Sequence, residues 1–475
     1  MGLAFPHGPI EATDMFIPLA WIIGERTGVG LGWKMIMQCL FMGRALALPS
    51  ISVGSIKLAL LTTSAYARVR RQFGLSIDTY EGIKESLAEL VELTYVSEAA
   101  RSLTAALVDS GSRPLAVSSL MKYRITENAR SAINHALDVH AGKGACDGPA
   151  NYLLSAYNAV PIGVTVEGAN IVSRSVITFA QGVLQSHPFV RPALESCESK
   201  NYKQDLDDFD SAISGHIQLL QANAARSFLH AISGGVFASC PRDVPKDIRN
   251  WYRALSRYTS SFAYLSDVTV ITMGHELKKK QKLGGRLADV LAELYILSAV
   301  LKQYEEDGFP AEDYPIIEQS LTNGLYRIEK NLLAVIRNFP QRLLRPLLFS
   351  IVFPVGAWRQ PAKDALTTTV ADSVSEATPT RARLTRHVFI SDSSNDSVRQ
   401  LENAFVAANH AASVYKKIRA ATRAGLLKKD HTQLQVAESK GIITSEEAHL
   451  LQEAEKTAKV AIAVDTFEQD VYRPA

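Results

Sequence analysis

Cysteine is scarce in this sequence of 475 residues, and neither sign of charge is in clear excess. None of the cysteines lies close enough to another for a Cys-x-x-Cys pair, which excludes zinc ribbons and thioredoxin-like redox sites. The four are Cys39, Cys146, Cys197 and Cys240. Lysine and arginine number 51 against 48 aspartates and glutamates, and this balance gives no reason to expect a nucleic-acid partner. No metal site is predicted.

Targeting segments and long apolar runs are missing as well. The first residues lack a basic stretch followed by an apolar core, so we predict no secretory signal. No uncharged apolar run reaches the roughly 18 residues that a membrane-spanning helix needs. We therefore expect a cytoplasmic protein with reduced thiols. The basic run 278–282 and the apolar stretch 342–358 could together contact the inner membrane peripherally, although a solvated helix end beside a core helix is the simpler interpretation.

Helical periodicity is what the sequence does contain. Hydrophobic residues make up 47% of the chain, which indicates ordered, globular domains. Long apolar stripes with short connections are typical of an antiparallel helical bundle. We predict a mainly α protein with five parts: a short β segment over 1–28, the bundle over 29–190, a second helical domain over 205–358, a loop or disordered segment over 359–400, and a helical tail over 401–475.

The individual helices follow from stripes and breakers. Pro49 is expected to stop the first helix, and the polar stretch 195–207 reads as a linker. FIPLAWII near the start resembles a strand. The predicted helices cover about 33–48, 52–72, 81–109, 114–139, 152–159, 172–183, 287–301, 398–423 and 446–464.

Three short segments carry residue types that could do chemistry. Glu167-Gly168 opens an apolar helix between glycine-broken loops, where a buried carboxylate could act as a base. Its simpler interpretation is a helix start, with Thr165 as the cap and Glu167 favouring the helix dipole. Arg70-x-x-Phe73-Gly74 could bind phosphate or only stabilise a helix end. Gly142-x-Gly144 lets a backbone approach a ligand, or is just a loop.

In this order and spacing, the three segments resemble the C-terminal helical domain of the acyl-CoA dehydrogenase family. Further stretches are similar to the large bacterial FadE type of that family. They are FPHGPIEATDMFIPLAWIIG near the start, GRALALPS at 43–50, VEGANIVSRSVITFAQG at 166–182, and the segment 265–308, which resembles the additional C-terminal domain of that type. The likeness covers nearly all of the chain up to about Gly356 and, more weakly, the tail.

The resemblance implies a function. Members oxidise medium- or long-chain fatty acyl-CoA to trans-2-enoyl-CoA with bound FAD, the first step of β-oxidation, as oxidoreductases acting on CH–CH groups. It implies that Glu167 removes the α-proton while a hydride leaves for flavin N5, and that Arg44 and Gly168 lie in the substrate pocket. It also implies that a neighbouring subunit's FAD is contacted by Arg70, Phe73, Gly142 and Gly144. A homo-oligomer and an electron-transfer flavoprotein as partner follow.

The sequence also departs from the family pattern. Some relatives carry the base just before the arginine that matches Arg44, but Gly43 stands there. Ala141 replaces the first glycine of the usual GGxG loop. Only the end of the family's middle β-domain is recognisable, over 1–28, so we expect the chain alone to bind FAD weakly. An acyl-CoA oxidase and a non-catalytic helical assembly subunit, or fragment of the enzyme, remain alternatives.

Overall fold

A computed structural model describes residues 8–112, 115–182, 187–198, 202–428 and 433–467. Within these ranges the protein is built from helices, and one antiparallel hairpin of two short strands, β1 (Arg71–Gln72) and β2 (Leu75–Ser76), is present. Arg71 pairs with Ser76 and Gln72 with Leu75. The prediction of a mainly α architecture is confirmed.

The first part of the chain forms the bundle. Its helices are α1 (Gly32–Met42), α2 (Leu48–Val69), α3 (Glu81–Asp109), α4 (Leu115–His140), the single turn α5 (Gly142–Ala145), α6 (Leu154–Thr165) and α7 (Asn170–Val172), which continues into a π-helix over Ser173–Gln181. The helix predicted from about 81 to 109 is the one that α3 forms.

The second part packs on the first. Its helices are α8 (Val190–Glu198), α9 (Tyr202–Ile232), α10 (Lys246–Met273), α11 (Gln281–Glu306), α12 (Tyr314–Arg337) and α13 (Arg345–Val352). Six more follow: α14 (Asp364–Asp372), α15 (Pro379–Thr385), α16 (Ser397–His410), α17 (Ala412–Arg423), α18 (Gln433–Ser439) and α19 (Ser445–Ile462). The predicted linker 195–207 is wrong where it can be examined, because it holds the end of α8 and the start of α9.

The expected helix stop at Pro49 is also wrong. α1 runs into α2 through a π-helical segment over Gly43–Ala47, and Pro49 lies in the first turn of α2. A π-turn is wider than an α-turn, so it accommodates a proline ring that lacks an N–H donor. The stretch Gln38–Val69 is long and apolar enough to cross a membrane, but 56% of its most apolar window is buried inside the protein, as in a core helix.

The larger of two apolar clusters in the described parts of the chain extends through both helical parts, and the smaller one lies within α17, α18 and α19. The larger cluster includes Leu60 of α2, Leu90 of α3, Leu120 of α4, Leu297 of α11 and Leu325 of α12, all fully buried. The boundary predicted between 29–190 and 205–358 therefore does not separate two cores. The two parts are stabilised by the same burial of apolar surface.

The segment 359–400, predicted as loop or disorder, contains α14, α15 and the start of α16, and it packs on the core. Val370 of α14 and Val374 just after it are fully buried in the core. The Thr378 hydroxyl accepts a 3.0 Å hydrogen bond from the Arg381 N–H and caps α15. Thr378 thus marks a helix start here, and the Asp396 side chain does the same for α16.

The strand expected over FIPLAWII is not formed. Residues 8–31 instead contain two short 3₁₀ turns, Leu19–Trp21 and Glu25–Gly28. A strand needs a neighbour with which to pair, and the residues that the structure describes offer it none. Phe16, Trp21 and Ile23 are exposed.

Candidate active site

Glu167 lies in a strained loop between α6 and α7. Its φ is +55° and that of Gly168 is +94°. Left-handed backbone is uncommon for a residue other than glycine, and such strain concentrates at functional sites. The Thr165 hydroxyl donates to the Ile162 carbonyl, and Ala169 is the N-cap residue of α7. The simpler interpretation, in which Thr165 caps the following helix, therefore does not hold.

The Glu167 carboxylate packs directly against Gly43. A Cβ atom added to Gly43 would lie 2.0 Å from Oε1 and 2.5 Å from Oε2 of Glu167. No side chain at position 43 would fit without moving the carboxylate. Gly43 opens the π-helical segment that widens the long first helix, and π-segments occur often at functional sites.

Arg44 binds the backbone of the loop that carries Glu167. Its side chain is only 6% exposed, and its Nε donates a 2.8 Å hydrogen bond to the Glu167 carbonyl. A terminal guanidinium nitrogen lies 3.4 Å from where a Cβ of Gly168 would stand. The structure thus brings Glu167, Gly168 and Arg44 together.

Lys122 is a site residue that sequence reasoning missed. It is fully buried on α4, and its Nζ donates to the carbonyls of Val164 (3.0 Å) and Gly168 (2.7 Å) and to Oδ1 of Asn170 (2.7 Å). The available signal was a lysine on the inward stripe of α4, where Thr126 is also buried one turn further on. A buried ammonium with three acceptors fixes the backbone on both sides of Glu167.

Burial and the neighbouring cations have opposite effects on the pKa of Glu167. Burial raises the pKa of the Glu167 carboxyl, and the nearby Arg44 and Lys122 counteract that rise. Burial, followed by repulsion from Arg44, lowers the pKa of Lys122 to about 8. Oε2 of Glu167 is buried and accepts no hydrogen bond from the residues that the structure describes. A dry, unpartnered carboxylate oxygen of this kind can accept a proton.

Phe73 forms the tip of the hairpin. Phe73 and Gly74 both have positive φ, +52° and +82°, as a type I′ turn requires, and the Phe73 side chain is 92% exposed. Arg70 follows the last residue of α2, and its guanidinium makes no hydrogen bond or ion pair with the described residues. An exposed aromatic in a strained turn needs an explanation outside the fold itself.

The two glycines that follow α4, Gly142 and Gly144, have different surroundings. A Cβ on Gly142 would meet nothing within 4 Å, whereas one on Gly144 would lie 2.9 Å from Leu137. Gly142 thus leaves open space, and Gly144 serves close packing. Ala141, which precedes them, has φ +49° and ψ −129°, a conformation that glycine adopts far more easily.

The two candidate regions lie at opposite ends of α2. The Tyr66 and His140 rings stack with centroids 4.2 Å apart, so the C-terminal ends of α2 and α4 lie side by side. α2 has 22 residues, and a rise of 1.5 Å per residue makes it about 33 Å long. Arg70 and Phe73 are therefore far from Glu167.

A further cluster could suggest a metal, against the sequence prediction. Ligand atoms of His187, His216 and Asp267 lie within 4.8 Å of one another. Nδ1 of His187 accepts from the N–H groups of Phe189 (3.2 Å) and Val190 (3.1 Å), and Nε2 lies 3.0 Å from Asp267 Oδ1. This pattern assigns the proton to Nε2, the atom a metal would need. The cluster is better explained as a hydrogen-bonded start of α8.

Both helical parts match descriptions of one family. "Acyl-CoA dehydrogenase, C-terminal domain" matches residues 30–181, and "Acyl-CoA dehydrogenase, C-terminal, bacterial type" matches residues 184–467. The second match alone covers more than half of the chain. The chain belongs to the acyl-CoA dehydrogenase family.

Individual relatives are more distant. The very long-chain specific acyl-CoA dehydrogenase of Mus musculus mitochondria is 22% identical over 334 residues, which are 68% of this chain and 47% of that protein. Protein HemX of Proteus mirabilis is 40% identical over 65 residues, 14% of this chain and 38% of that protein. The chain thus spans less than half the length of these curated relatives.

A solved structure has the same fold. The crystal structure of an acyl-CoA dehydrogenase complexed with FAD from Bacillus anthracis aligns with a TM-score of 0.54 and 16% sequence identity. The alignment covers 73% of this chain and 57% of that one. At this identity the likeness concerns the fold alone.

Proposed function

We propose that this protein dehydrogenates medium- or long-chain fatty acyl-CoA to trans-2-enoyl-CoA, the first step of β-oxidation, with Glu167 as the base. The supporting observation is the Glu167 carboxylate, which has one buried oxygen without a partner in the described part of the chain and rests on the bare Cα of Gly43. Membership of the acyl-CoA dehydrogenase family supplies the reaction class.

The base works by taking the α-proton of the thioester. The Cα–H bond breaks, the proton passes to a carboxylate oxygen of Glu167, and the electron pair forms the Cα–Cβ double bond as a hydride leaves Cβ. Bound FAD would accept that hydride. The backbone N–H of Glu167 would donate to the thioester oxygen, where negative charge develops. Burial, which raises the pKa of Glu167, makes the carboxylate a stronger base than it is in water.

Arg44 and Lys122 are positioning residues in this account. Arg44 binds the carbonyl of Glu167 itself, and Lys122 binds the carbonyls of Val164 and Gly168. Both cations also lower the cost of the carboxylate charge, as their opposing effect on the pKa of Glu167 indicates. These hydrogen bonds fix the strained backbone of the loop, so the Glu167 side chain keeps its orientation.

The residues at the far end of α2 fit a flavin dinucleotide. Phe73 presents an exposed ring, Arg70 has a guanidinium unpaired among the described residues, and Gly142 leaves room for a close backbone approach. Gly144 is explained by packing on Leu137 instead. Since α2 is about 33 Å long, the flavin at Phe73 is a different one from that beside Glu167, and a homo-oligomer supplies it.

Two assignments remain: the electron acceptor, which the family implies, and the cellular location, for which the support is the few unpaired cysteines of the sequence. Electron-transfer flavoprotein would reoxidise the cofactor, and the protein would act in the cytoplasm. The lysines at 278, 279, 280 and 282 and the side chain of Leu343 are exposed, as a peripheral contact with an anionic membrane would need.

Turnover with an artificial electron acceptor tests the proposal. With palmitoyl-CoA as substrate, Glu167→Gln should lower kcat by at least about 100-fold, the usual contribution of a general base. Glu85→Gln, at an exposed position of α3, is the matched control and should leave the rate unchanged. The wild-type rate should fall as the pH drops through the raised pKa of Glu167. Equal rates for Glu167→Gln and wild type would overturn the assignment.

A further inference from the structure

The helix that follows Glu167 is linked directly to the loop that carries this residue. α7 is a single turn, and the chain continues as a π-helix over Ser173–Gln181. Ser173 is fully buried, and its hydroxyl donates a 3.2 Å hydrogen bond to the Gly168 carbonyl. π-helical segments are rare and occur often at functional sites. A shift of this π-helix would therefore move the loop as well.

An ion pair holds the π-helix to α11, in the second part of the chain. Nε and Nη2 of Arg174 donate to Oδ1 and Oδ2 of Asp289 at 2.6 and 2.5 Å. Two parallel N–H donors fix the orientation of a guanidinium as well as its distance. The Tyr123 hydroxyl of α4 donates to the Ala288 carbonyl at 3.1 Å. One turn of α11 is thus bonded both to the π-helix and to α4, whose Lys122 binds the loop.

Two glycines allow α11 to approach the π-helix closely. A Cβ atom added to Gly284 would lie 3.1 Å from the Ser175 carbonyl oxygen. A Cβ atom added to Gly285 would lie 2.9 Å from Nη1 of Arg174. Both glycines are buried within α11, where alanine would be the better helix former. Their presence is explained by the space that the π-helix and the Arg174 guanidinium occupy.

The ion pair adds little to the stability of the fold. A cavity of about 680 Å³ opens beside it, and the side chains of Arg174 and Asp289 are 40% and 21% exposed. Ion pairs that water reaches contribute little to the free energy of unfolding, because the water screens them. The bidentate geometry therefore serves to orient Arg174 rather than to stabilise the protein.

We propose that Asp289 and Gly285 of α11 are positioning residues for the reaction. Together they fix the Arg174 guanidinium, and through the helix that carries Arg174 and Ser173 they fix the orientation of the loop around Glu167. The inference rests on the proposed function where it concerns turnover, but the fixing of the loop does not. The second part of the chain, matched over 184–467, thereby contributes to the geometry of a site that lies in the bundle.

Gly285→Ala separates positioning from stability. The new methyl displaces the flexible Arg174 guanidinium from Asp289, whereas alanine favours the helix. With palmitoyl-CoA and an artificial electron acceptor, kcat should fall at least about tenfold, because a small misplacement of a catalytic group is costly. KM should stay within about twofold of the wild-type value, and the urea midpoint should not fall. Gly54→Ala, whose new Cβ would meet nothing within 4 Å, is the matched control and should keep its kcat.

Asp289→Asn and Arg174→Lys test the bidentate pair. Arg174→Lys keeps the positive charge but not the two parallel donors, so it should lower kcat as much as Asp289→Asn does. The double variant should be no worse than either single variant, because both remove the same interaction. Asp372→Asn breaks the 2.6 Å ion pair between α14 and Lys84 of α3, and this control should leave kcat unchanged. A wild-type kcat in Gly285→Ala or in Asp289→Asn would overturn the inference.

Amide hydrogen exchange makes the test independent of the reaction. Peptides that cover 164–175 should exchange at least about threefold faster in Asp289→Asn than in wild type, and at the wild-type rate in Asp372→Asn. Unchanged exchange in Asp289→Asn would overturn the positioning role, whatever the turnover. If the wild-type protein shows no turnover, faster exchange in Asp289→Asn would still support the fixing of the loop, and the proposed function alone would be contradicted.

Discussion

At the scale of single residues, the glutamate and the glycine beneath it form one unit. The sequence identifies Gly43 only as a residue that cannot be a base, and it identifies Glu167 through a resemblance. Neither of these two inferences predicts that the Glu167 carboxylate fills the space next to the Cα of Gly43. That contact joins residues more than a hundred positions apart, and one sequence without its fold contains no signal for it.

Gly43→Ala should therefore impair the active site. The added methyl would lie within about 2.5 Å of the carboxylate oxygens, so Glu167 must turn away from its present position. We expect turnover to fall at least about tenfold, while the free energy of unfolding changes little, because the clashing atoms are the end of a flexible side chain and Gly43 has helical backbone angles. Gly54→Ala, whose new Cβ would meet nothing within 4 Å on α2, is the control and should keep full activity. A fully active Gly43→Ala enzyme would contradict the described packing.

Ala141 offers a test of backbone strain. Gly274 after α10 has nearly the same conformation, φ +48° and ψ −127°, but carries glycine there. Ala141→Gly should raise the free energy of unfolding by about 1 kcal/mol, because it removes the steric cost of a Cβ. Gly274→Ala should lower it by a similar amount. Urea denaturation measures both, and a destabilised Ala141→Gly variant would mean that the loop is not strained at this residue.

At the scale of elements, the inward-facing Lys122 of α4 anchors the loop that carries Glu167. Lys122→Met keeps the length of the side chain but leaves the acceptors of Val164, Gly168 and Asn170 without their donor. We expect a loss of roughly 3 kcal/mol in urea denaturation, since unpaired buried groups are costly. Lys459→Met, exposed on α19, should cost almost nothing. A similar small effect at both positions would show that the loop does not depend on Lys122.

Helix bounds could be predicted where local pattern and burial agree. The stripe of α3 ends at polar residues on both sides, and its bounds match the prediction. The prediction that a helix ends at Pro49 is wrong because the wider π-turn before it accommodates the proline ring, which would otherwise end the helix. The polar residues of 359–400 misled because Thr378 and Asp396 act as helix caps, a role that appears only when the following helix packs.

At the scale of the whole molecule, α15 and α16 are part of the main core, whereas α17, α18 and most of α19 form a second, smaller apolar cluster. Arg381 is buried against α2, where it donates to the Ser64 hydroxyl and the Leu61 carbonyl, and it pairs with Glu402 of α16 at 2.6 Å. Its guanidinium lies 4.1 Å from the centroid of the Phe405 ring. The polar composition of 359–400 predicted a loop or disordered segment, because the sequence does not distinguish a buried arginine from one on the surface.

Arg381→Met should consequently weaken the entire fold. Removing one partner leaves the Glu402 carboxylate uncompensated, which costs about 3–5 kcal/mol. Arg191→Met removes an exposed pair with Glu195, whose side chains are 62% and 61% exposed, and should cost less than about 1 kcal/mol. We expect a single unfolding transition by circular dichroism, shifted strongly only for Arg381→Met. Separate transitions for tail and bundle would show that they fold independently.

Hydrogen exchange at the α-carbon of a bound acyl-CoA tests the central claim most directly. In heavy water, wild-type protein should transfer deuterium to that carbon, because Glu167 returns a solvent-derived proton to it. Glu167→Gln should slow this exchange by at least about 100-fold while substrate affinity is retained. Exchange at the wild-type rate in Glu167→Gln would show that another group removes the proton, and the proposed mechanism would be wrong.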